Sequence, residues 1–375
     1  MTVHLDISQL VHDPRRSGIQ RVERELIRHW PGPAELLPCV FDGPSNAMRE
    51  LKPAIFGVLC ADATGLGVAD EQRRLAPYLA SGRVITPERL LSAELFIDKA
   101  RAAYYRDQAG PVAFWLVYDF LPWLQPEWYA AGPAAAMMPY LQAMRSVRHL
   151  AFISEATRRD CVTRILRRPV GGPVIPLGAD GLGLERQRFD PGRRDIVVLG
   201  AIEPRKNAAP VMLAFRRLWA EGSHSRLIMI GAPEKDALEE RALLRELAGD
   251  DRFRHFENLP DAGVRAALSG ARALLFPSVA EGYGLPPTEA LASGVPVIVS
   301  AGLPALQGMP ALGQVRLDAI NPETIADAVR LVMDDAEARR LWDGAAGMRL
   351  PTWRRFAAAV ADWVQASPTC PRPPA

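Results

Sequence analysis

The stretch Glu281-Gly-Tyr-Gly-Leu-Pro-Pro-Thr-Glu289 holds two acids eight residues apart, with a glycine-rich bend between them. It follows the apolar run Ala273-Leu-Leu-Phe276 and precedes a second one, Val295-Pro-Val-Ile-Val299, and both runs are typical of buried strands. A strand, a loop, a helix start and another strand in this order predict a parallel sheet. We therefore expect both carboxylates at the carboxyl edge of that sheet, where open α/β folds bind ligands.

The residues inside this stretch suit a close approach to a ligand. Gly282 and Gly284 let the backbone come near a bound molecule. The two prolines at 286–287 fit the first turn of a helix, and Gly294 fits its end. Free N–H groups at such a helix start predict an anionic or hydroxyl-rich ligand. Spacing alone also allows an ordinary acidic loop in which Glu289 caps the helix.

Length and composition bound the function classes. The chain has 375 residues, enough for two domains of about 150–200 residues each. Its apolar fraction of 49% and charged fraction of 23% are ordinary for a globular protein. The formal net charge of +2 lacks the strong basic bias expected of a nucleic-acid-binding protein, so we expect no nucleic-acid partner.

Cysteines, histidines and the N-terminus give negative expectations. Cys39, Cys60, Cys161 and Cys370 have no metal-ligand spacing and read as reduced thiols. The six histidines form no obvious triad, and no Asp-x-Asp follows a strand, so we expect no essential metal and no cofactor. Neither a signal peptide nor an apolar run of about 18 residues is present, which predicts a cytoplasmic protein.

Strand and helix patterns alternate along the chain and predict two α/β halves. The boundaries that follow are a first domain at 1–183, a second domain at 184–350, and a C-terminal helix with a tail at 351–375. In the second domain we expect strands at 195–200, 226–231, 253–257, 273–276 and 295–299. We expect helices there at 207–221, 236–247, 261–269, 286–293 and 322–333.

A second polar segment lies at the same predicted sheet edge. The strand Ile196-Val-Val-Leu-Gly200 leads into Glu203-Pro-Arg205-Lys206-Asn207, and a helix pattern follows. Two cations beside the free N–H groups of a helix start suit a diphosphate. A solvated basic pair on a surface loop is the alternative. Neither a Gly-x-Gly-x-x-Gly fingerprint nor a P-loop opens either half, so side chains and helix ends must hold any phosphate.

These two segments carry a family resemblance. Residues 281–300 resemble the donor-site signature of the retaining GT-B glycosyltransferases of the E-x7-E family (glycosyltransferase family 4, group 1), with Tyr283 where phenylalanine is usual. Gly-Ala-Ile-Glu-Pro-Arg-Lys-Asn at 200–207 resembles the phosphate-binding segment of that family. The resemblance implies an α/β, GT-B architecture, with two Rossmann-like domains whose parallel sheets face across a cleft.

The resemblance also implies residue roles. Arg205 and Lys206 would contact the nucleotide diphosphate, and Glu289 would accept hydrogen bonds from the ribose hydroxyls. Glu281 would lie near the transferred sugar. The sugar or the β-phosphate would be held by the backbone N–H groups of Tyr283, Gly284 and Leu285.

The first half resembles the family more weakly. Ser17-Gly-Ile-Gln-Arg-Val22 is similar to a segment of bacterial polysaccharide glycosyltransferases, in which Gly18 would let the backbone approach the diphosphate; a simple helix-entry glycine is equally consistent. Tyr118-Asp119-x-x-Pro122 matches a segment that usually reads His-Asp-x-x-Pro. Tyr118 can donate a hydrogen bond but cannot carry a proton as an imidazolium does. Asp119 is therefore the better candidate to orient the sugar or acceptor, unless it only caps the next turn.

Together these features imply a retaining, metal-independent hexosyltransferase. The expected donor is a nucleotide-diphosphate sugar, GDP-mannose first and dTDP-rhamnose or a UDP-hexose second. The expected acceptor is a lipid-linked saccharide for a bacterial O-antigen, capsule or exopolysaccharide. A sugar-nucleotide epimerase and a non-catalytic nucleotide-sugar-binding protein remain open.

The helical stretch that begins at Ser154 carries two further expectations. Ser154 is a good N-cap, and Glu155 and Arg158 are expected to be structural. Arginines along this stretch predict a peripheral contact with anionic lipid at the inner face of the membrane, unless they form a solvated helical face. These arginines are Arg158, Arg159, Arg164, Arg167 and Arg168.

Overall fold

The computed structural model describes residues 1–15, 18–32, 34–61, 67–129, 132–235 and 237–368. These fall into two compact units, the first formed by Met1–Gly178 with Pro351–Ala375 and the second by Ala179–Leu350. The division lies in the loop that precedes the predicted boundary at 183–184. Cys370 and the rest of the tail from 369 lie outside the described residues, as do Arg16 and Ser17 of the predicted Gly18 loop.

The first unit is a mixed α/β layer structure. Its elements are β1 (Thr2–Asp6), α1 (Ser8–His12), α2 (Gly18–His29), β2 (Glu35–Asp42), β3 (Ala47–Glu50), α3 (Ala54–Cys60), α4 (Val68–Leu79), β4 (Arg83–Ile85), β5 (Leu90–Ser92), α5 (Lys99–Tyr104), β6 (Ala113–Val117), α6 (Leu121–Leu124), α7 (Pro133–Met144), β7 (His149–Phe152) and α8 (Glu155–Asp160). The sheet order is β4-β3-β2-β1-β5-β6-β7.

One edge of this sheet is antiparallel. β3 pairs antiparallel with both β2 and β4. The other neighbouring pairs of the sheet, β2–β1, β1–β5, β5–β6 and β6–β7, are parallel. Only the turn at 43–46 separates β2 from β3, and so short a link leaves no room for the crossover that a parallel pair requires. The first sheet therefore combines a parallel part with an antiparallel edge.

The second unit is a parallel doubly wound sheet. Its elements are β8 (Asp195–Leu199), α9 (Ala208–Ala220), β9 (Arg226–Ile230), α10 (Leu238–Leu247), β10 (Phe253–Phe256), α11 (Asp261–Gly270), β11 (Ala271–Phe276), α12 (Leu285–Ala292), β12 (Val297–Ser300), β13 (Gln314–Leu317), α13 (Pro322–Met333) and α14 (Asp335–Gly347). The predicted strands and helices of this unit are confirmed to within two residues at most ends. β13 and α14 are not among the predicted elements. β13 has only four residues. α14 buries Ala338, Leu341, Trp342 and Ala345 at helical spacing, so its pattern was open to prediction.

The strand order of the second unit locates its ligand-binding edge. The order is β10-β9-β8-β11-β12-β13, so the chain winds outward in one direction from β8 and in the other from β11. The order reverses between β8 and β11, and ligands bind at such a switch point beyond the carboxyl ends of the strands. All six residues of β11 are buried, as expected for a strand covered by helices on both faces.

The last helix, α15 (Trp353–Ala366), packs on the first unit. The Trp363 ring meets the Phe114 ring edge-on at 5.3 Å between centroids. Arg89 donates from Nη1 to the carbonyl of Ser367 at 2.8 Å. At the start of the helix the chain passes so close to Gly178 that a Cβ there would lie 2.3 Å from the Trp353 nitrogen. These contacts join residues 351–367 to the first unit.

A buried polar network sits at the carboxyl ends of β1 and β5. Arg101 donates from Nε to Asp6 Oδ2 at 2.9 Å and also contacts the carboxylate of Glu94. Tyr105 donates its hydroxyl proton to the same Asp6 oxygen at 2.7 Å. Glu23, from α2, is 1% exposed, and burial raises its pKa well above the usual range, helped by the charge of Glu94 and a hydrogen bond to it. The hydrogen bond between the two carboxyl groups favours the protonated form of Glu23 in the folded protein.

This network fixes the position of α1. The Glu94 carboxylate accepts hydrogen bonds from the backbone N–H groups of Gln9, at 3.0 Å, and Leu10, at 2.7 Å. Those groups belong to the first turn of the helix, where no intrahelical acceptor exists. The carboxyl groups of Asp6 and Glu94 therefore have structural partners at this edge of the sheet.

We predict that Glu23→Gln is tolerated and that its effect on stability depends on pH. Above about pH 4.5 the unfolded chain ionises Glu23 while the folded protein keeps it protonated, so the wild-type free energy of unfolding falls as pH rises. The variant lacks this loss, so its advantage over wild type should grow from pH 5 to 8 by at most about 1.4 kcal/mol per pH unit. Urea unfolding of both proteins measures the difference. A difference independent of pH would contradict the assignment.

Candidate active site

Two loops meet at the switch point of the second unit. One follows β8 and carries the basic pair, and the other follows β11 and carries the acidic bend. β8 and β11 are hydrogen-bonded neighbours, with Leu274 opposite Val197. Both loops therefore leave from one edge of the sheet, and the two segments singled out in the sequence lie side by side.

The basic loop has a defined backbone shape. Pro204–Lys206 form one turn of 3-10 helix, and Asn207 then adopts a left-handed conformation with φ of 55° before α9 begins. The Asn207 side chain donates from Nδ2 to the carbonyl of Pro277 at 2.7 Å. Asparagine tolerates this backbone region better than most residues. The hydrogen bond from Asn207 to Pro277 ties the end of the basic turn to the residue that follows β11.

Arg205 links the two loops. Its Nη1 donates to the carbonyl of Ala280 at 2.9 Å and to Glu281 Oε1 at 3.0 Å. Its own carbonyl accepts from the N–H of Val279 at 2.9 Å and from the Ser278 hydroxyl at 3.3 Å. Side chain and backbone of one residue thus hold the segment 278–281 in place.

Lys206 completes the cluster. Its ammonium contacts the same oxygen of Glu281 and lies 4.5 Å from the centroid of the Phe276 ring. The side chains of Arg205, Lys206 and Glu281 are only 12–15% exposed. Burial lowers the pKa of Lys206, and the Glu281 carboxylate opposes that shift. Burial acts to raise the pKa of Glu281, but Lys206 and Arg205 outweigh it and the pKa is lowered.

A narrow cavity opens beside the lysine. It is lined by residues 198–202, Lys206, Ala208, 229–230 and 276–278, from β8, β9 and β11 and the loops after them. Lys206 thus lines a mostly apolar cavity, and the cluster combines its compact positive charge with a planar guanidinium and one carboxylate. Such a set can bind an anion and stabilise negative charge that develops on it.

The acidic bend enters α12 as the sequence predicts. Gly284 has φ of 107°, which only glycine adopts readily, and the two prolines lie in the first helical turn. Tyr283, 6% exposed, accepts at its carbonyl from the N–H of Ala305 at 3.0 Å, so the segment after β12 supports the bend from below. Glu289 lies on α12 and is 4% exposed. Gly294 ends the helix with φ of 79°, which confirms its predicted place.

The candidates of the first unit sit in a different setting. Tyr118 is buried, its hydroxyl donates to the carbonyl of Ala93 at 2.7 Å, and burial raises its pKa. Asp119 Oδ1 accepts from the N–H of Leu121 at 3.0 Å, so it caps the start of α6. Gly18 is the first residue of α2, and a Cβ there would meet nothing within 4 Å. The ligand-binding roles of all three remain predictions.

The helix after β7 behaves as expected at its start. The Ser154 hydroxyl accepts from the N–H of Thr157 at 3.1 Å, which confirms the predicted N-cap. Glu155 and Arg158 form an exposed ion pair with each other at 2.5 Å. Across the described ranges, no cluster of three or more His, Cys, Asp or Glu side chains is arranged to hold a metal. None of the helices described in the structure is long and apolar enough to cross a membrane.

Sequence reasoning missed three residues of the cluster. Glu203, whose Oε1 lies 2.7 Å from Arg205 Nη2, stands in the quoted motif but received no role. Asn207 was quoted without its bond to Pro277, and Ser278 gave no signal at all. Glu203 and Arg205 are two residues apart, so this contact is local. The partners of Asn207 and Ser278 lie about 70 residues away in the chain, so only the pairing of β8 with β11 reveals them.

We predict that Gly284→Ala disturbs the bend. A Cβ at this position would lie 2.7 Å from Leu303 Cδ1 and would also face the strain of a positive φ. Together these should cost about 1–3 kcal/mol of unfolding free energy and displace the start of α12. Gly302→Ala is the matched control, because no atom lies within 4 Å of a Cβ there. Equal melting temperatures for the two variants would rule out the strained bend.

Comparisons with known proteins agree with this geometry. Residues 184–347 match the family model described as "Glycosyl transferases group 1". The chain is 27% identical over 322 residues to the serotype-specific mannosyltransferase WbdA of Escherichia coli, covering 79% of this chain but only 38% of that protein. It is 29% identical over 222 residues to the MMP alpha-(1->4)-mannosyltransferase of Mycolicibacterium hassiacum, covering 58% of this chain and 52% of the other.

Solved structures show the same fold at low sequence identity. HepE of Anabaena, solved in complex with UDP-glucose, superimposes with a TM-score of 0.66 at 12% identity, covering 98% of this chain and all of that one. Sucrose-phosphate synthase of Thermosynechococcus elongatus gives 0.64 at 15% identity, covering 97% and 98%. The chain therefore has the GT-B fold, and its residues 184–347 match the family model of glycosyl transferases group 1.

Proposed function

We propose that the protein is a glycosyltransferase that moves a hexose from a nucleotide-diphosphate sugar to a saccharide in bacterial polysaccharide synthesis. The observation that carries this proposal is the convergence of Arg205, Lys206 and Glu281 at the switch point between β8 and β11. The chain spans 38% of the length of WbdA, so activity, substrates and partners are all part of the proposal. The curated relatives named above are mannosyltransferases, which favours GDP-mannose as the donor.

In this proposal the diphosphate binds beside Lys206 and Arg205. The Lys206 ammonium acts as a compact charge that faces the diphosphate, and the Arg205 guanidinium adds positive charge beside it. The N–H groups at the start of α12, from Tyr283 to Leu285, add donors at a helix N-terminus. Glu289, on the same helix, would accept from the ribose hydroxyls, and Glu281 would lie next to the transferred sugar.

The proposed reaction is a retaining transfer without a metal. The bond between the anomeric carbon and the diphosphate oxygen breaks, and a new bond forms to the acceptor oxygen on the same face of the sugar. The acceptor proton passes to the departing phosphate oxygen. Negative charge grows on the diphosphate as the bond breaks, and Lys206 and Arg205 would stabilise it in a site of low exposure. From the first unit, Asp119 would orient the sugar or acceptor, and Tyr118 would stand beside it. Gly18 would let the backbone approach the diphosphate.

Two other functions would fit the same fold. An epimerase would convert the nucleotide sugar without an acceptor, and a binding protein would hold it without turnover. The basic cluster favours the transferase, because cations at the leaving diphosphate assist departure of that group. Product analysis with and without a saccharide acceptor separates the three.

A lipid-linked acceptor would bring the protein to the inner face of the cell membrane. A groove of the first unit supports such a contact, because four exposed arginines surround the half-buried ring of Trp123 and the exposed Met138. The four are Arg106, Arg145, Arg164 and Arg167. Two of them have nearby acids, Asp107 at 2.7 Å from Arg106 and Asp160 at 4.0 Å from Arg164. Arginine beside apolar side chains suits an anionic lipid surface.

We predict that nucleoside diphosphates stabilise the protein and that Lys206→Ala abolishes the effect. A ligand at one hundred times its dissociation constant adds about 2.7 kcal/mol, so GDP, UDP and dTDP and their sugars can be ranked by melting temperature. Loss of the ammonium should reduce turnover by about 10²–10³ while the fold remains.

Lys52→Ala, at an exposed lysine of the first unit, is the control and should behave as wild type. Near-normal turnover in Lys206→Ala would remove the basic pair from the reaction. A panel in which no nucleotide raises the melting temperature would remove the proposed function itself.

We predict that the arginine groove directs binding to anionic vesicles. Arg145→Gln with Arg167→Gln should weaken co-sedimentation with phosphatidylglycerol-containing vesicles about thirtyfold at low ionic strength, from the usual attraction per basic residue. Arg354→Gln with Arg355→Gln, on the exposed side of α15, changes the net charge equally and should have little effect. Equal losses in both double variants, or equal binding to phosphatidylcholine alone, would contradict a specific surface.

A further inference from the structure

We infer that Glu203 is a positioning residue of the donor site: its carboxylate holds the guanidinium of Arg205, and Arg205 in turn holds the loop that carries Glu281. The inference rests on the proposed function, since it assigns Glu203 to the same nucleotide-binding cluster. It divides the work of the basic pair. Arg205 organises the loop, and Lys206 is the cation left to face the diphosphate.

The position of Glu203 supports this role. It directly precedes the 3-10 turn of Pro204–Lys206 and is 8% exposed. Its Oε1 lies 2.7 Å from Arg205 Nη2. The other terminal nitrogen of Arg205, Nη1, is the one that binds Ala280 and Glu281. The guanidinium is therefore gripped from both ends, and its plane cannot turn while both carboxylates stay in place.

The consequence reaches the loop after β11. Arg205 forms four hydrogen bonds with residues 278–281. Its side chain donates two of them, and its carbonyl oxygen accepts the other two. The same segment carries Glu281 and leads into the bend at Gly284. If the guanidinium were free to rotate, the side-chain bonds to this segment would be lost. Glu203 thus acts on the site through another residue and need not touch the substrate.

The charges around Glu203 make its role depend on pH. Burial raises the pKa of Glu203; Arg205 and Lys206 oppose the shift, while Glu281 and Glu234 add to it. These charged groups lie on its own turn and on the loops after β11 and β9. A diphosphate bound beside Lys206 adds negative charge to the cluster and favours the protonated form of Glu203 further. Binding of the diphosphate and uptake of a proton by Glu203 are therefore linked.

The test compares Glu203→Ala and Glu203→Gln with a matched control, Glu246→Gln. Glu246 also forms an ion pair with an arginine, Arg216 at 3.0 Å, but on the exposed surface of the same unit. The alanine variant should expose the amides of 278–283 to faster hydrogen exchange and lower kcat with GDP-mannose about ten- to a hundredfold, as for loss of a charge-assisted bond. The glutamine variant keeps an oxygen that accepts from Arg205, so exchange and kcat should return to within about threefold of wild type.

The second measurement is GDP affinity between pH 5.5 and 8.5. Protonation of GDP itself affects both proteins equally. The difference in GDP affinity between wild type and Glu203→Gln therefore reports on the Glu203 carboxyl group alone. The wild type should gain affinity relative to the variant as pH falls. A difference that does not change with pH, together with loop exchange in Glu203→Ala equal to that of Glu246→Gln, would overturn the positioning role alone. Absence of GDP and UDP binding by the wild type would instead overturn the proposed function on which it rests.

Discussion

The contact of Glu281 with Lys206 and Arg205 is the constraint on which the site depends. Charged groups with so little exposure are costly unless each has a partner, and here one carboxylate serves two cations. Because the partners stand on different loops, satisfying these charges also fixes the loops relative to each other. Positive charge that protein groups hold in a fixed position is what electrostatic stabilisation of an anion requires.

The doubly wound sheet supplies the rigidity that this contact needs. β8 and β11 lie side by side, and both are buried along most of their length. Each strand delivers its loop to the same edge, and a helix begins directly after each loop, α9 after one and α12 after the other. The side-chain charges of the cluster therefore lie next to the starts of two helices.

The corresponding edge of the first unit uses its charges differently. Asp6, Glu94 and Arg101 are almost fully buried and satisfy one another, the N–H groups of α1 and the hydroxyl of Tyr105. The Tyr118 hydroxyl likewise donates to a backbone carbonyl. Polar groups at this edge thus build the scaffold, while in the second unit Lys206 both pairs with Glu281 and lines a cavity. The carboxyl edges of the two sheets therefore differ in the chemistry of their polar groups.

The sequence alone determined the βα alternation of the second unit, the bend with its helix start, and the basic pair before α9. These features depend on residues close in the chain, through apolar periodicity and the backbone preferences of glycine and proline. Tertiary structure alone decided that Ala280 holds Arg205, that Asn207 bonds to Pro277, and that Tyr118 bonds to Ala93. Such partners are set by which strands become neighbours, and the packing of distant segments fixes that choice where local sequence has no influence.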